Sequence, residues 1–501
     1  PPQMGSDREA EYRRNFEMVL SWSAHLSPSD AVLWDISPAG IGAASLPASP
    51  EEWEDFYQFT DGGDGSPGYA ANPVSGALYA PQLVARGDYV RVIAEYWADG
   101  PDSETPAGHW FLILSQVLKN ELLERRMGGS GPEMDPLEWN VKSYLLLGGA
   151  MHDAAIAAWS LKGFYDYIRP ISAIRAMAGR GQSSDPTQLS YDPDGLRLIP
   201  DLIEMVTYET TRIRQKHRHL RGHEGKVAAY AWRGPDAIGN PLRSAAGVGW
   251  ILAEEWWPYQ RPSFVTPFFA GYVSGHSTFS RAAASVLHRI TGSPYFPGGL
   301  AEFVAEKNEF LVFEDGPSET ITLQWASYYD AANQSALSRI WGGIHPPADD
   351  LPGRQIGDEV AQGAWERANQ YWSGAVPGLS IGLTELPLAQ ADLFYEVDIG
   401  ISGGTGPYQC DLISGVLPDG LVLTTDGKIV GTPERRRRSS TIVIRVEDAL
   451  GVAEERSFAI ESVNALKVGA RRLSRGRAEK QYKMRLRPKR GACSHPCAPP
   501  R

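Results

Sequence analysis

The sequence predicts a mainly α protein: a helical-bundle domain over residues 1–375, then a small all-β sandwich over 383–463. Three observations carry this. Helical patterns recur up to about residue 375, the pattern changes between 373 and 390, and short β-branched runs follow. At 501 residues the chain is too long for one ordinary domain, and its length favours two or three. A hydrophobic share of 42% with 15 tryptophans suits a globular protein with a large core.

In the first region, Asn140 to Lys162 is dense in Ala, Leu and Met and free of Pro, as a long helix requires. Arg281 to Ile290 repeats apolar residues at helical spacing, and Ile356, Val360, Ala364 and Ala368 recur every fourth residue, forming one helical face. Between these lie loops rich in Pro, Gly and Asp, such as 61–75 and 183–196. The acidic turn Asp192-Pro193-Asp194-Gly195 reads as a plain turn before it reads as a calcium loop. Beyond the change of pattern, Thr441 to Val446 and Ser457 to Val463 alternate apolar and polar residues as half-buried strands do. The run Arg435 to Arg438 between them reads as a solvated loop.

Composition narrows the function. A net charge of -12 argues against nucleic acid as the main partner. No window holds about 18 uninterrupted apolar residues, so no membrane-spanning helix is expected. The three cysteines, Cys410, Cys493 and Cys497, all lie after residue 400, so the helical region relies on neither disulfides nor a Cys-ligated metal. Residues 464–501 are basic and poor in apolar residues, which predicts disorder. No signal peptide is visible, and the sequence begins Pro1-Pro2-Gln3. Trp256-Trp257 reads either as a subunit contact in a homo-oligomer or as core packing.

Three segments carry chemistry. In the first, 159–170, Trp159, Lys162 and Arg169 share one face if the helix continues, because about seven residues make two turns. Two aligned cations repel unless an anion lies between them; the bland reading is a solvated face. In the second, 268–281, an aromatic run stops at Ser274-Gly275-His276 and a helical pattern begins. Ser274 suits an N-cap, Gly275 permits close approach of a backbone N–H, and the helix start favours oxyanions. His276 there is placed to move a proton; the bland reading is a capped helix with a surface histidine. In the third, 338–350, Gly342 and Gly343 break the helix so that His345 folds back beside Arg339. Pro346 and Pro347 suit a new helix start, and Asp349 would fix the His345 tautomer; the bland reading is a turn with a structural histidine.

Taken together, Lys-x6-Arg-Pro, Ser-Gly-His and Ser-Arg-x5-His-x3-Asp resemble the signature of the vanadium-dependent haloperoxidase and type 2 phosphatidic acid phosphatase (PAP2) superfamily, with Val273 where Pro usually stands. The resemblance spans roughly residues 100–372 and implies a vanadate (V5+) cofactor, one per chain. Lys162, Arg169 and Arg339 would neutralise the oxyanion, Ser274 and the Gly275 N–H would complete its cradle, and His345 would be the axial metal ligand. His276 would serve as acid–base, Lys162 would polarise bound peroxide, and Asp349 would support His345. The implied reactants are hydrogen peroxide, a halide (bromide or chloride) and a small organic acceptor, with the metal acting as a Lewis acid. In the phosphatase alternative, His345 is the nucleophile of a phosphohistidine intermediate and His276 protonates the leaving group.

The lack of spanning helices and the roughly hundred residues between Arg169 and Ser274 favour the haloperoxidase reading. Trp159 and Phe269 resemble the halide pocket of chloroperoxidases. The stretches Leu417–Leu421 and Gly427–Pro433 resemble immunoglobulin-like domains of bacterial secreted and surface proteins, which implies a secreted, periplasmic or cell-surface location. Two readings from other classes are a metalloprotein built on His217, His219 and His223, and a non-catalytic surface protein with an adhesive β domain.

Overall fold

The computed structural model describes the chain except for residues 49–51, 99–103, 265–266, 376, 435–437, 465–466, 469–487 and 491–501. Both tail cysteines, most of residues 464–501 and most of the Arg435 to Arg438 run therefore lie outside the described residues. Backbone contacts divide the chain into two units, Pro1–Ala368 and Asn369–Arg501.

The first unit opens with α1 (Glu9–Ser23), β1 (Leu33–Asp35), the single turn α2 (Trp53–Phe56), β2 (Leu83–Ala85) and α3 (Arg86–Tyr96). Then come α4 (Pro106–Lys119), α5 (Pro136–Tyr165) and α6 (Pro170–Arg180). The Asp135 side chain caps α5 by accepting the N–H groups of Leu137 and Glu138, with Pro136 at the first helical position where its missing N–H costs nothing. Along α5, Ser143, Leu147, Ala150, Ala154, Ala158 and Lys162 form the buried stripe, while Val141, Leu145 and Ile156 are exposed.

Within residues 203–252, β3 (Ile203–Met205), β4 (Val227–Trp232) and β5 (Val248–Leu252) form an antiparallel sheet, in a region expected to be mostly helical. The reason is that β4 is buried on both faces: of its six residues only Tyr230 is exposed, so the period-2 alternation that marks a half-buried strand is missing.

The centre of the unit is α7 (Gly275–Thr291), whose residues from Gly275 to Ser280 are all buried and which packs against α4, α5 and α8 (Tyr328–Trp341). The hairpin β6 (Ala301–Ala305) and β7 (Ile321–Trp325) joins α7 to α8. A capping box between Ser327 and Asp330 starts α8. The last helix, α9 (Pro347–Ser373), presses its glycines on α7: a Cβ added at Gly357 would lie 2.6 Å from the Thr278 carbonyl oxygen. Trp256 is fully buried in the core, while its neighbour Trp257 is partly exposed.

The second unit is rich in strands. A four-stranded sheet has the order β12 (Gln409–Ser414), β15 (Arg438–Glu447), β16 (Ala453–Val463) and β9 (Ala389–Gln390). A three-stranded sheet comprises β10 (Tyr395–Asp398), β14 (Lys428–Gly431) and β13 (Leu421–Leu423), and β8 (Ser380–Ile381) pairs with β11 (Ile401–Ser402). Ile442, Ile444 and Val446 point every second residue into a core shared with Ile399, Ile429, Phe458 and Ile460, as the alternation predicted.

Candidate active site

The three segments meet inside the first unit. Lys162 lies one turn before the end of α5, and Trp159 sits on the same side of that helix. Arg169, however, does not continue it. The helix ends at Asp166 in a left-handed conformation (φ 44°), and Arg169 is the extended N-cap of α6. The sequence expectation of two cations on one continuous helical face is therefore corrected. Pro170 is the physical cause, because a residue that precedes Pro is pushed out of the α region.

The two cations converge by another route, through three successive carbonyls. Lys162 Nζ donates to the Ala270 oxygen (2.9 Å) and the Gly271 oxygen (2.7 Å). Arg169 donates to the Phe269 oxygen (3.1 Å), the Ala270 oxygen (3.3 Å) and the Ile344 oxygen (2.9 Å). Gly271 makes this approach possible, since a Cβ there would stand 2.8 Å from Asp349 Oδ2.

The guanidinium also fixes the state of His345. Arg169 Nη1 lies 3.1 Å from His345 Nε2, and a guanidinium has only donors, so Nε2 accepts. The ring proton is then on Nδ1, which donates to Asp349 Oδ2 at 2.8 Å. As expected from the glycine pair, α8 ends at Gly342 and Gly343 turns with φ 73°. The His345 N–H returns to the Arg339 carbonyl at 3.4 Å. Arg339 is 1% exposed and donates to the Trp97 carbonyl at 3.1 Å.

Ser274 caps α7 by accepting the Ser277 N–H, and its own N–H donates to the Asp349 carbonyl at 2.8 Å. Gly275 and His276 open that helix, where N–H groups lack intrahelical acceptors. A Cβ at Gly275 would lie 3.2 Å from the Trp159 ring. Trp159 and Phe269 stand 4.9 Å apart, both partly exposed, with Lys162 Nζ 5.2 Å from the Phe269 ring and 5.7 Å from the Trp159 ring.

The electrostatics of this cluster run one way. Burial, then the Arg169 charge, lower the Lys162 ammonium to about 7. Burial lowers Arg169 to about 10. Burial followed by Arg169 and Lys162 drives His345 well below its ordinary value, and burial with Arg339 does the same to His276. Burial raises the Asp349 carboxyl to about 7, opposed by Lys162 and Arg169. Lys162, Arg169 and Arg339 are all buried near this carboxyl, and an oxyanion bound among them would offset their positive charge. His276 Nε2, Ser277 Oγ and Asp349 Oδ1 are among the buried polar atoms with no hydrogen-bond partner among the described residues. A donor set of Lys and Arg, a neutral histidine with a lone pair held among those cations, and a helix N-terminus fits a tetrahedral oxyanion such as vanadate.

Sequence reasoning missed several participants. The Ala270 and Gly271 carbonyls, the Trp97 carbonyl and buried His109, whose charge would act on His276, all surround the site. Backbone acceptors leave no mark in residue type, and His109 has no motif around it. The residues of the histidine cluster part company: His217 Nδ1 bonds Thr210, His219 Nε2 bonds the Trp250 carbonyl, and no metal-holding group of three occurs among the described residues.

A family model, the VCPO second helical-bundle domain, matches residues 142–186 and 206–374, which include all three segments. Among solved structures, an apo bacterial vanadium-dependent chloroperoxidase shares 19% identity over 58% of this chain and 46% of that one, with a TM-score of 0.38. The holo form shares 18% over 57% and 44% (TM-score 0.37), and a bacterial vanadium-dependent iodoperoxidase 19% over 55% and 43% (TM-score 0.31). The chain thus spans less than half the length of these relatives. No curated protein matches the sequence. The match of the family model gives residues 142–186 and 206–374 the helical-bundle fold of the vanadium haloperoxidases and PAP2-like proteins, and a strand-rich region follows.

Proposed function

We propose that this chain is a vanadate-dependent haloperoxidase that oxidises bromide or chloride with hydrogen peroxide and passes the halogen to a small organic acceptor. The observation that carries the reading is the gathering of Lys162, Arg169 and Arg339 around a neutral His345 whose Nε2 lone pair lies among them. Lys162, Arg169, Arg339, Ser274 and the Gly275 N–H would hold the oxyanion, and His345 Nε2 would be its metal ligand once Arg169 Nη1 releases it. Bound vanadate would supply Lewis-acid activation of peroxide.

The remaining work falls to the protein. Asp349 holds the Nδ1 proton of His345, so that Nε2 stays a lone-pair donor. His276 is neutral, and its Nε2 is free to take a proton from incoming peroxide. Lys162 would bring positive charge beside the bound oxyanion, and Trp159 with Phe269 would give a halide an apolar wall beside that ammonium.

The test is direct. Purified protein supplied with orthovanadate, hydrogen peroxide and bromide is expected to brominate a phenolic dye, with inorganic phosphate competing. Cleavage of a phosphate monoester without any halogenation would assign the site to phosphohistidine chemistry at His345 instead.

A further inference from the structure

A second cavity, of about 320 Å³, lies on the other side of α8 and takes no part in the site above. Its size falls in the lower range of small-molecule pockets. Its walls are aromatic: the Trp34 ring lies 6.1 Å from Tyr89 and 6.0 Å from Trp341, inclined at 52° and 67°. Rings set at such angles wall a concave space and do not form one flat stacking platform. The charged residues that line the cavity are all acidic, Asp35, Asp64 and Asp330, while Arg86, 5.9 Å from the Trp34 ring centre, is paired with Asp30.

The acids differ in how they are satisfied. Asp330 accepts the Ala43 and Ser327 N–H groups, and Asp35 accepts those of Ser37 and Gln82. Asp64 Oδ1 takes the N–H and hydroxyl of Ser66, but Asp64 Oδ2 is buried with no partner. A carboxylate with an oxygen that no hydrogen bond satisfies is favoured by positive charge placed beside it. Arg354, whose charge feels Asp64 only after Asp350 and Tyr57, is already held by both oxygens of Asp350 and by Asn333.

The loop that delivers Asp64 is built for close approach. Gly62, Gly63 and Gly65 all have positive φ, and a Cβ at Gly62 would stand 2.8 Å from the Trp341 ring. The Asp61-Gly-Gly-Asp-Gly run thus lays its glycine backbone against Trp341 and Trp34 and brings Asp64 to the cavity wall.

We propose that this cavity binds a small organic ammonium ion, its charge facing Asp64 and its alkyl groups against Trp34, Tyr89 and Trp341. Aromatic faces carry negative quadrupole density, which attracts a cation, and the carboxylate supplies the full counter-charge. A neutral polyol would offer hydroxyl donors but would leave the one-sided charge uncompensated.

Choline is the probe, titrated into the full chain and followed by tryptophan fluorescence and calorimetry. Saturable binding is expected, with the neutral isostere 3,3-dimethylbutan-1-ol at least about tenfold weaker. Asp64→Asn is expected to weaken choline by about tenfold or more while the melting curve is kept. The isostere comparison uses unaltered protein, so it decides the matter even if the variant misfolds. Absence of saturable choline binding, equal binding of the neutral alcohol, a folded Asp64→Asn protein that binds choline normally, or tighter binding of glucose would each overturn the proposal.

Discussion

At the scale of single residues, the account divides labour between two histidines. His345→Ala removes the Nε2 lone pair that faces Arg169 and is expected to abolish vanadate retention. His276→Ala leaves Lys162, Arg169, Arg339 and His345 in place. It is expected to keep most vanadate binding while bromination falls about 10²-fold or more, the usual worth of a positioned acid–base. Dialysis with metal analysis beside a turnover assay separates the two. Asp349→Asn keeps shape but loses the acceptor for His345 Nδ1, so vanadate affinity is expected to fall by about 10–100-fold. Most of this site was legible because its chemistry sits in side chains of rare type at fixed spacing: two Arg, one Lys and two His. The Ala270 and Gly271 carbonyls were not legible, since a backbone oxygen is the same at every position.

At the scale of elements, the helix boundaries read well and their geometry less so. Ser274 as N-cap and the Gly342-Gly343 break follow from local conformational preference, and both stand in the structure. The end of α5 before Arg169 follows as well, given Pro170, yet counting residues along a presumed helix hid it. Strand β4 escaped because two buried faces erase alternation. The face of α9 that meets α7 is set by Gly353 and Gly357, while Ile356 and Val360 on the expected face are only partly buried. Gly357→Ala places a methyl against the Thr278 carbonyl and Ala282 nitrogen of α7. Overpacking of this kind costs about 1–3 kcal/mol, which a chemical-denaturation curve would resolve as a lowered midpoint with unchanged slope.

At the scale of the whole molecule, the N-terminal hundred residues do more than the motifs suggested. They supply the Trp97 carbonyl to Arg339 and buried Glu95 on α3 to Tyr259 and to the Val312 and Phe313 N–H groups. Burial raises Glu95 to about 7 from an ordinary 4.5. Between those two values the folded chain holds this proton more firmly than the unfolded one. This group's contribution to stability is therefore full below pH 4.5, declines as pH rises and levels off above about 7. Glu95→Gln cannot ionise, so its melting temperature relative to the wild type is expected to rise steadily from pH 4.5 to 7. A constant difference across that window would contradict the assignment.

The central claim is that three cations, a neutral histidine and a helix start enclose one oxyanion. Vanadium analysis of the full chain after incubation with orthovanadate and exhaustive dialysis tests it most directly. Stoichiometric vanadium on the wild type and none on His345→Ala is the predicted result; a wild-type protein that emerges free of vanadium would contradict it.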